Sequence, residues 1–125
     1  MTPRITGIAP QFLVDDLEGA IAYYRDRLGF VLDFQYEDFY ASVSRDGFAI
    51  HLKHAPKIAA DRVHRKEHEH LDAYIEVSGA RELYAEMQQS GAAVIKPIGE
   101  RPWQCVDFYV EDPDGYILCF SEPTV

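Results

Sequence analysis

The chain has 125 residues, of which 47% are hydrophobic and 26% charged, and its formal net charge is −9 at pH 7. This length and balance are typical of one globular domain and argue against a disordered chain. The acidic charge disfavours nucleic acid and anionic membranes as partners, and no apolar run approaches the roughly 20 residues of a membrane-spanning helix. Because the N-terminus also lacks a signal-peptide pattern, we expect a soluble, cytoplasmic protein.

The first predicted elements are a short strand and the amphipathic helix that follows it. We place the helix N-cap at Asp15, with Glu18 three residues later as in a capping box, and the helix end near Gly29. Apolar residues recur at the spacing of one helix face: Leu17, Ala20, Ile21 and Tyr24. Further strands follow, and the last two are joined at Asp46-Gly47, which is a strong hairpin signal.

The segment between Lys53 and His70 differs from the rest of the chain. It holds five basic and three acidic residues and four of the five histidines: His54, His64, His68 and His70. A helix here would bring His64 and His68 to one face, where they could bind a metal ion. A solvated lid is the commoner role of such a charged segment, and we favour it.

The second half of the chain repeats the first. At an offset of 63 residues the apolar helix face returns as Ala80, Leu83, Tyr84 and Met87. Ser78 is the predicted N-cap of this second helix and Gly91 lies near its end. At an offset of 68 the hairpin turn returns as Asp114-Gly115. We therefore predict an α+β fold in which one domain, 1–125, contains two βαβββ modules at about 5–55 and 71–123, joined by a linker at about 56–70.

The predicted strands alternate between apolar and polar residues, as in mostly antiparallel sheets with one buried face. The polar faces could simply contact water, but they carry aromatic, histidine, cysteine and glutamine side chains near the strand centres. A curved face of that composition suits a small-molecule site. We predict a cup that binds a ligand through His51, Asp72, Tyr74, Tyr109 and Cys119, with Trp103 at its mouth.

The two cysteines flank the second hairpin turn. Pairing across that turn places Cys119 opposite roughly Phe108, so Cys105 is several residues out of register. We therefore predict two free thiols. Because His51 and Cys119 hold equivalent positions in the two halves, a nucleophile pair stays open, but it requires a lowered thiol pKa.

Four sequence landmarks together carry a family resemblance: Asp16-Leu17, Tyr23-Tyr24, Leu28-Gly29-Phe30 and the hairpin 111–116. Their combination resembles the vicinal oxygen chelate superfamily, which includes glyoxalase I, bleomycin-resistance proteins, fosfomycin-resistance enzymes and ring-cleaving dioxygenases. The resemblance covers essentially the whole chain and implies a glyoxalase-like fold. The same fold hosts binders and enzymes, so it is less informative about function.

The metal enzymes of this superfamily carry ligands at four pseudo-symmetric strand positions, which the resemblance places here at Ala9, His51, Asp72 and Cys119. Alanine cannot ligate, and the two-His, one-carboxylate set of an Fe(II) dioxygenase is missing. We therefore expect no metal and no other cofactor. If a metal is present, His51, Asp72 and Cys119 are its ligands, because Zn²⁺ accepts all three atom types.

The expected function is binding or sequestration of an aromatic or drug-like molecule without metal, as in bleomycin resistance and other antibiotic resistance. The resemblance also implies a homodimer. The alternative is a lyase, transferase or dioxygenase that depends on a divalent metal such as Zn, Ni, Mn or Fe, with glyoxalase I as its example. Whether the chain is an enzyme stays open, and no catalytic residue is assigned.

Overall fold

The computed structural model describes residues 2–55 and 66–124, which form two sheets and two helices. The first module contains β1 (Gln11–Val14), α1 (Leu17–Asp26), β2 (Val31–Tyr36), β3 (Tyr40–Arg45) and β4 (Phe48–His54). The second contains β5 (Ala73–Glu76), α2 (Ala80–Ser90), β6 (Ala93–Arg101), β7 (Cys105–Glu111) and β8 (Ile117–Pro123). The predicted α+β class and the repeated βαβββ order are confirmed.

Each module folds its strands into a four-stranded sheet with the same topology. The strand orders are β1-β4-β3-β2 and β5-β8-β7-β6. The first strand of each sheet runs parallel to the last, and the remaining pairs are antiparallel. Within the described ranges, no helix is long and apolar enough to cross a membrane.

Both helices begin one residue later than predicted. The Asp16 carboxylate caps α1 by accepting a hydrogen bond from the Gly19 amide at 3.0 Å. In α2 the N-cap is Gly79, at φ 75°, and the cap is supplied from β8, because the Glu122 carboxylate accepts from the Gly79 and Ala80 amides. A cap that comes from a distant strand leaves no local pattern in the sequence.

The predicted hairpin turns form, with one difference in register. Asp46 and Gly47 both have positive φ, 55° and 85°, which is the conformation of a type I′ hairpin turn. Across the second turn Cys119 pairs with Tyr109, one residue beyond the predicted Phe108. The thiols of Cys105 and Cys119 are both free and buried, as expected.

One hydrophobic core extends through both modules. The predicted apolar faces of both sheets and both helices meet in it, and its buried members include Ile21, Leu52, Met87, Phe108 and Leu118. The rings of Phe12 and Tyr116, from different modules, stack with centroids 4.3 Å apart. The polar strand faces therefore lie on the outer side of each sheet, as the alternation predicts.

Polar contacts also join the modules at the second hairpin turn. The Tyr24 hydroxyl of α1 donates to the Asp112 carboxylate at 2.8 Å, and the Tyr23 hydroxyl donates to the Glu111 carbonyl at 2.8 Å. Asp112 also accepts from the amides of Asp114 and Tyr116, both at 2.9 Å. Burial raises the pKa of this carboxyl to about 6, against the opposing effect of its hydrogen-bond donors.

Candidate ligand-binding site

The outer face of the first sheet carries a group of aromatic rings around His51. In register, Ser42 lies between Phe34 on one neighbouring strand and His51 on the other. Phe34 stacks on Tyr40 with ring centroids 6.3 Å apart and an interplanar angle of 5°. The His51 ring stands edge-on to both, 6.3 Å from Phe34 and 5.5 Å from Tyr40. We call Phe34, Phe39, Tyr40 and His51 the aromatic cluster.

The aromatic cluster is open to solvent and has a polar edge. Phe34 and Phe39 are 49% and 46% exposed, so about half of each ring is available to a ligand. Gln11 Nε2 donates to the Tyr40 hydroxyl at 3.0 Å, and that hydroxyl lies 2.9 Å from His51 Nδ1. The ammonium group of Lys53 lies 5.7 Å from the centre of the Phe39 ring, so the cluster already holds one cation against a ring face.

The corresponding face of the second sheet is covered. Tyr109, Ile117 and Cys119 form a small buried cluster there, and Leu71 and Ile95 pack against it. Two ion pairs hold residues 66–69, which precede Leu71, against β6 and β7. Lys66 pairs with Glu111 at 3.1 Å, and Glu69 pairs with Lys96 at 3.0 Å. Tyr109 is 7% exposed and Cys119 is fully buried. Both lie on the predicted face of the sheet, but other side chains of the same chain cover them.

The histidines of the linker are only partly described. His64, and with it the predicted pairing with His68, lies outside the described residues. His68 and His70 have ring centroids 6.0 Å apart, and both are exposed. The lid interpretation stays a prediction.

Asp107 is the polar centre of the covered face. Its carboxylate forms a 2.6 Å ion pair with Arg101 and also accepts from the thiols of Cys105 and Cys119, at 3.7 and 3.8 Å. Burial, reinforced by the negative charge of Asp107, raises the pKa of the Cys119 thiol to about 12. Burial likewise raises the pKa of Tyr109 to about 12. Cys119 is therefore a protonated thiol near neutral pH and a poor nucleophile.

We accordingly expect both thiols to resist modification in the native protein. Cys105 is 5% exposed and Cys119 is fully buried, and only a thiolate attacks a disulfide reagent. Reaction of the native protein with Ellman's reagent at pH 8 should release no thionitrobenzoate. After unfolding in guanidinium chloride, the same reaction should release two equivalents. Rapid release of one equivalent from the native protein, lost in Cys119→Ala, would show that Cys119 is an activated nucleophile after all.

Three of the predicted ligand contacts lie elsewhere. Asp72 and Tyr74 line a groove of about 1080 Å³ between β5, the β3–β4 turn and the N-terminal residues Ile8 and Pro10, where Phe48 also lies. The Tyr74 ring is 59% exposed, and its hydroxyl donates to Ser121 at 2.9 Å. Trp103 is 63% exposed in the turn between β6 and β7. That the six predicted residues line one cup thus stays a prediction.

His51, Asp72 and Cys119, the ligands expected if a metal is present, do not fit a metal ion within one chain. The Asp72 carboxylate is engaged by the Ile117 amide at 2.8 Å. The raised pKa of Cys119 opposes the thiolate that a metal requires. In the described part of the chain, no group of three or more His, Cys, Asp and Glu side chains is placed to hold a metal ion.

The rings that surround His51 were not predicted from the sequence. Phe34, Phe39 and Tyr40 were not among the predicted ligand contacts. Aromatic residues at positions 34 and 36 of one strand were a usable signal, because residues two apart share a face. In the structure the pairing of β2 shifts between Leu32 and Phe34, and every residue of β2 is exposed. A strict alternation of buried and exposed residues therefore does not describe this strand.

Comparison with known proteins gives a consistent result. Residues 5–120 match the family model described as the Glyoxalase/Bleomycin resistance protein/Dioxygenase superfamily. Among curated proteins, none matches this sequence significantly.

Three solved structures illustrate the similarity in fold. The bleomycin-binding protein from bleomycin-producing Streptomyces verticillus, complexed with copper(II)-bleomycin, is 23% identical; the match covers 95% of this chain and 97% of that one, with a TM-score of 0.74. A glyoxalase-related enzyme from Clostridium phytofermentans is 18% identical, with 97% of each chain covered and a TM-score of 0.78. A glyoxalase/bleomycin resistance protein/dioxygenase from Alicyclobacillus acidocaldarius is 15% identical, with coverages of 95% and 92% and a TM-score of 0.75.

Proposed function

Because the chain belongs to the Glyoxalase/Bleomycin resistance protein/Dioxygenase superfamily, we propose that it binds and sequesters a flat aromatic, drug-like molecule without a metal. The observation that carries this proposal is the aromatic cluster, in which half-exposed rings surround one histidine. Stacked rings recognise flat ligands, and a few polar groups orient them. The solved complex of a bleomycin-binding protein of similar fold supports bleomycin as a first drug to test.

Charge favours a cationic ligand. The chain carries 21 acidic and 12 basic residues, so its field attracts cations. The faces of aromatic rings also attract cations, as Lys53 over Phe39 illustrates. An aromatic cation thus combines the two interactions that this face offers.

The variant Phe34→Ala tests the binding face directly. Phe34 stacks on Tyr40 and presents about half of its ring, so its loss should weaken the binding of an aromatic cation by about threefold to tenfold. Calorimetric titration with metal-free bleomycin and with quinolin-6-ylmethylamine measures this change. The matched control is Val31→Ala, in an exposed residue of the same strand that takes no part in the ring contacts. Equal affinities of the two variants would count against this face.

We further propose that the protein is a homodimer whose second copy covers the groove beside β5. Large apolar side chains lie exposed around that groove, with Ile8 at 86% and Phe48 at 79%. Among the described strands, β5 pairs only with β8, so one of its edges is free to pair. A symmetric interface between two copies would cover both the exposed apolar side chains and the free edge of β5. Pro10 suits the start of an arm that crosses to the partner.

Sedimentation equilibrium tests the dimer. At micromolar concentration we expect twice the 14.3 kDa mass of one chain. Phe48→Asp, which places a charge on the exposed apolar surface, should shift the mass towards that of one chain without unfolding it. A wild-type mass of one chain would reject the dimer.

A further inference from the structure

A bulge in β2 brings one acidic side chain to the face that carries the aromatic cluster. Leu32 pairs with Val43, a core residue of β3. The next pair along the strands joins Phe34 to Ser42, which lies on the outer face. The strand β2 therefore has one extra residue, Asp33, between the two pairs. A bulge of this kind changes the direction of a side chain locally and is common beside functional sites.

Two serine side chains of β3 hold the Asp33 carboxylate on the outer face. Its two oxygens accept from Ser44 Oγ at 2.7 Å and from Ser42 Oγ at 2.9 Å. A carboxylate only accepts hydrogen bonds, so both hydroxyls donate, and each oxygen keeps a further lone pair. Ser42 is 3% exposed, whereas Asp33 is exposed. The carboxylate is thus fixed from the side of the sheet and remains open to a ligand.

The charges of this face are separated along β3. Asp33 lies beside Ser42 and Ser44. Lys53, whose ammonium group lies over the cluster, is in register with Tyr40 further along the strand. Within the described ranges, no basic side chain forms an ion pair with Asp33. A positively charged group of a ligand is therefore attracted to the Asp33 end of the cluster and repelled from the Lys53 end.

We propose that Asp33 is a specificity-determining residue of this face and binds the positively charged group of the ligand, while the ring of the ligand stacks beside Phe34. This inference rests on the proposed binding role of the aromatic cluster. Ser42 and Ser44 are positioning residues. Because Asp33 and Phe34 are neighbours in the chain and share one face, the preferred ligands are flat aromatic amines whose ammonium group is attached to the ring through a short link.

Two ligands that differ in charge test this ion pair. Quinolin-6-ylmethylamine carries an ammonium group at pH 7, and quinolin-6-ylmethanol carries a hydroxyl at the same place on the same ring system. In calorimetric titrations at pH 7, the wild type should bind the amine about fivefold to tenfold more tightly than the alcohol, the value of a hydrogen bond to a charged group in an exposed place. Asp33→Asn, which is similar in size, should reduce this preference to within about twofold.

The matched control is Asp26→Asn, which removes the same charge from an exposed residue of α1, on the other side of the sheet. It should keep the preference of the wild type for the amine. The double variant Ser42→Ala/Ser44→Ala keeps the carboxylate but removes both donors. It should lower the preference about twofold and leave the affinity for the alcohol unchanged, whereas general damage to the fold would weaken both ligands alike.

The outcomes separate this inference from the proposed function. Equal binding of the amine and the alcohol by the wild type, or an unchanged preference in Asp33→Asn, would overturn the role of Asp33 and leave aromatic binding in place. The same loss of preference in Asp26→Asn would reduce the effect to overall charge and would also overturn it. Failure of the wild type to bind either ligand would contradict the proposed function and this inference together.

Discussion

Replacing Asp112 with alanine is expected to lower the free energy of unfolding by about 3 kcal/mol at pH 4.5, because three donors lose their acceptor. Those donors are the Tyr24 hydroxyl and the amides of Asp114 and Tyr116, each within 2.9 Å of the carboxyl group. Asp112 is 4% exposed, so water cannot readily replace it. Urea unfolding measures the loss, and a change of less than about 1 kcal/mol would show that the junction adds little.

Asp112→Asn isolates the charge of this group from its hydrogen bonds. The folded-state pKa of about 6 lies above the usual 3.8, so the protonated form stabilises the fold, fully so below about pH 3.8. Above that pH this stabilisation decreases, and it is lost as the pH rises through about 6. The total loss in the free energy of unfolding is up to about 3 kcal/mol. Asparagine does not titrate and still offers an oxygen to the two amides.

The stability of Asp112→Asn relative to the wild type should therefore rise between pH 4 and pH 7.5. Comparing the two proteins at each pH cancels the titration of the other carboxyl groups. Urea unfolding at both values gives the result. A difference in stability that does not change with pH would contradict the raised pKa of Asp112.

Phe108→Ala should cost about 3–5 kcal/mol, the usual loss when a buried phenylalanine becomes a cavity. The Phe108 ring is fully buried, 5.3 Å from the centroid of Phe120 and 5.1 Å from that of Tyr84. It belongs to a core that contains residues of both modules. The two modules should therefore lose stability together and unfold in a single transition.

Denaturant unfolding, followed by fluorescence and circular dichroism, checks both parts of this prediction. Phe108→Leu, which retains most of the volume, should lose only about 1 kcal/mol. Two separate transitions in Phe108→Ala, with the first module unaffected, would show that the modules are independent domains.

The sequence predicted the fold well because its strongest signals are local and occur twice. The helix faces repeat at an offset of 63 residues, and the turns at Asp46-Gly47 and Asp114-Gly115 mark hairpins in both halves. The larger error arose where a distant residue decides the local structure. The cap of α2 is the clearest case, since Glu122 of β8 takes the role expected of Ser78.

The candidate site was harder to predict. Strand alternation placed His51 and Cys119 on the outer faces, as found. It could not show that Leu71 and Ile95 cover Cys119 while His51 stays open, because that cover depends on how residues far apart in the sequence pack together. Nor could it find the Tyr40 hydroxyl at His51, since that contact requires the register of β3 on β4.

Ligand binding by protein that has been dialysed against EDTA shows whether the protein binds an aromatic cation without a metal. Calorimetry with quinolin-6-ylmethylamine should give the same affinity before and after dialysis, and added Zn²⁺, Ni²⁺, Mn²⁺ or Fe²⁺ should not change it. His51→Ala should weaken binding about tenfold in both preparations, because the ligand loses a hydrogen bond and an edge-on ring together. Binding that disappears with EDTA and returns with one equivalent of one of these ions would contradict metal-free binding.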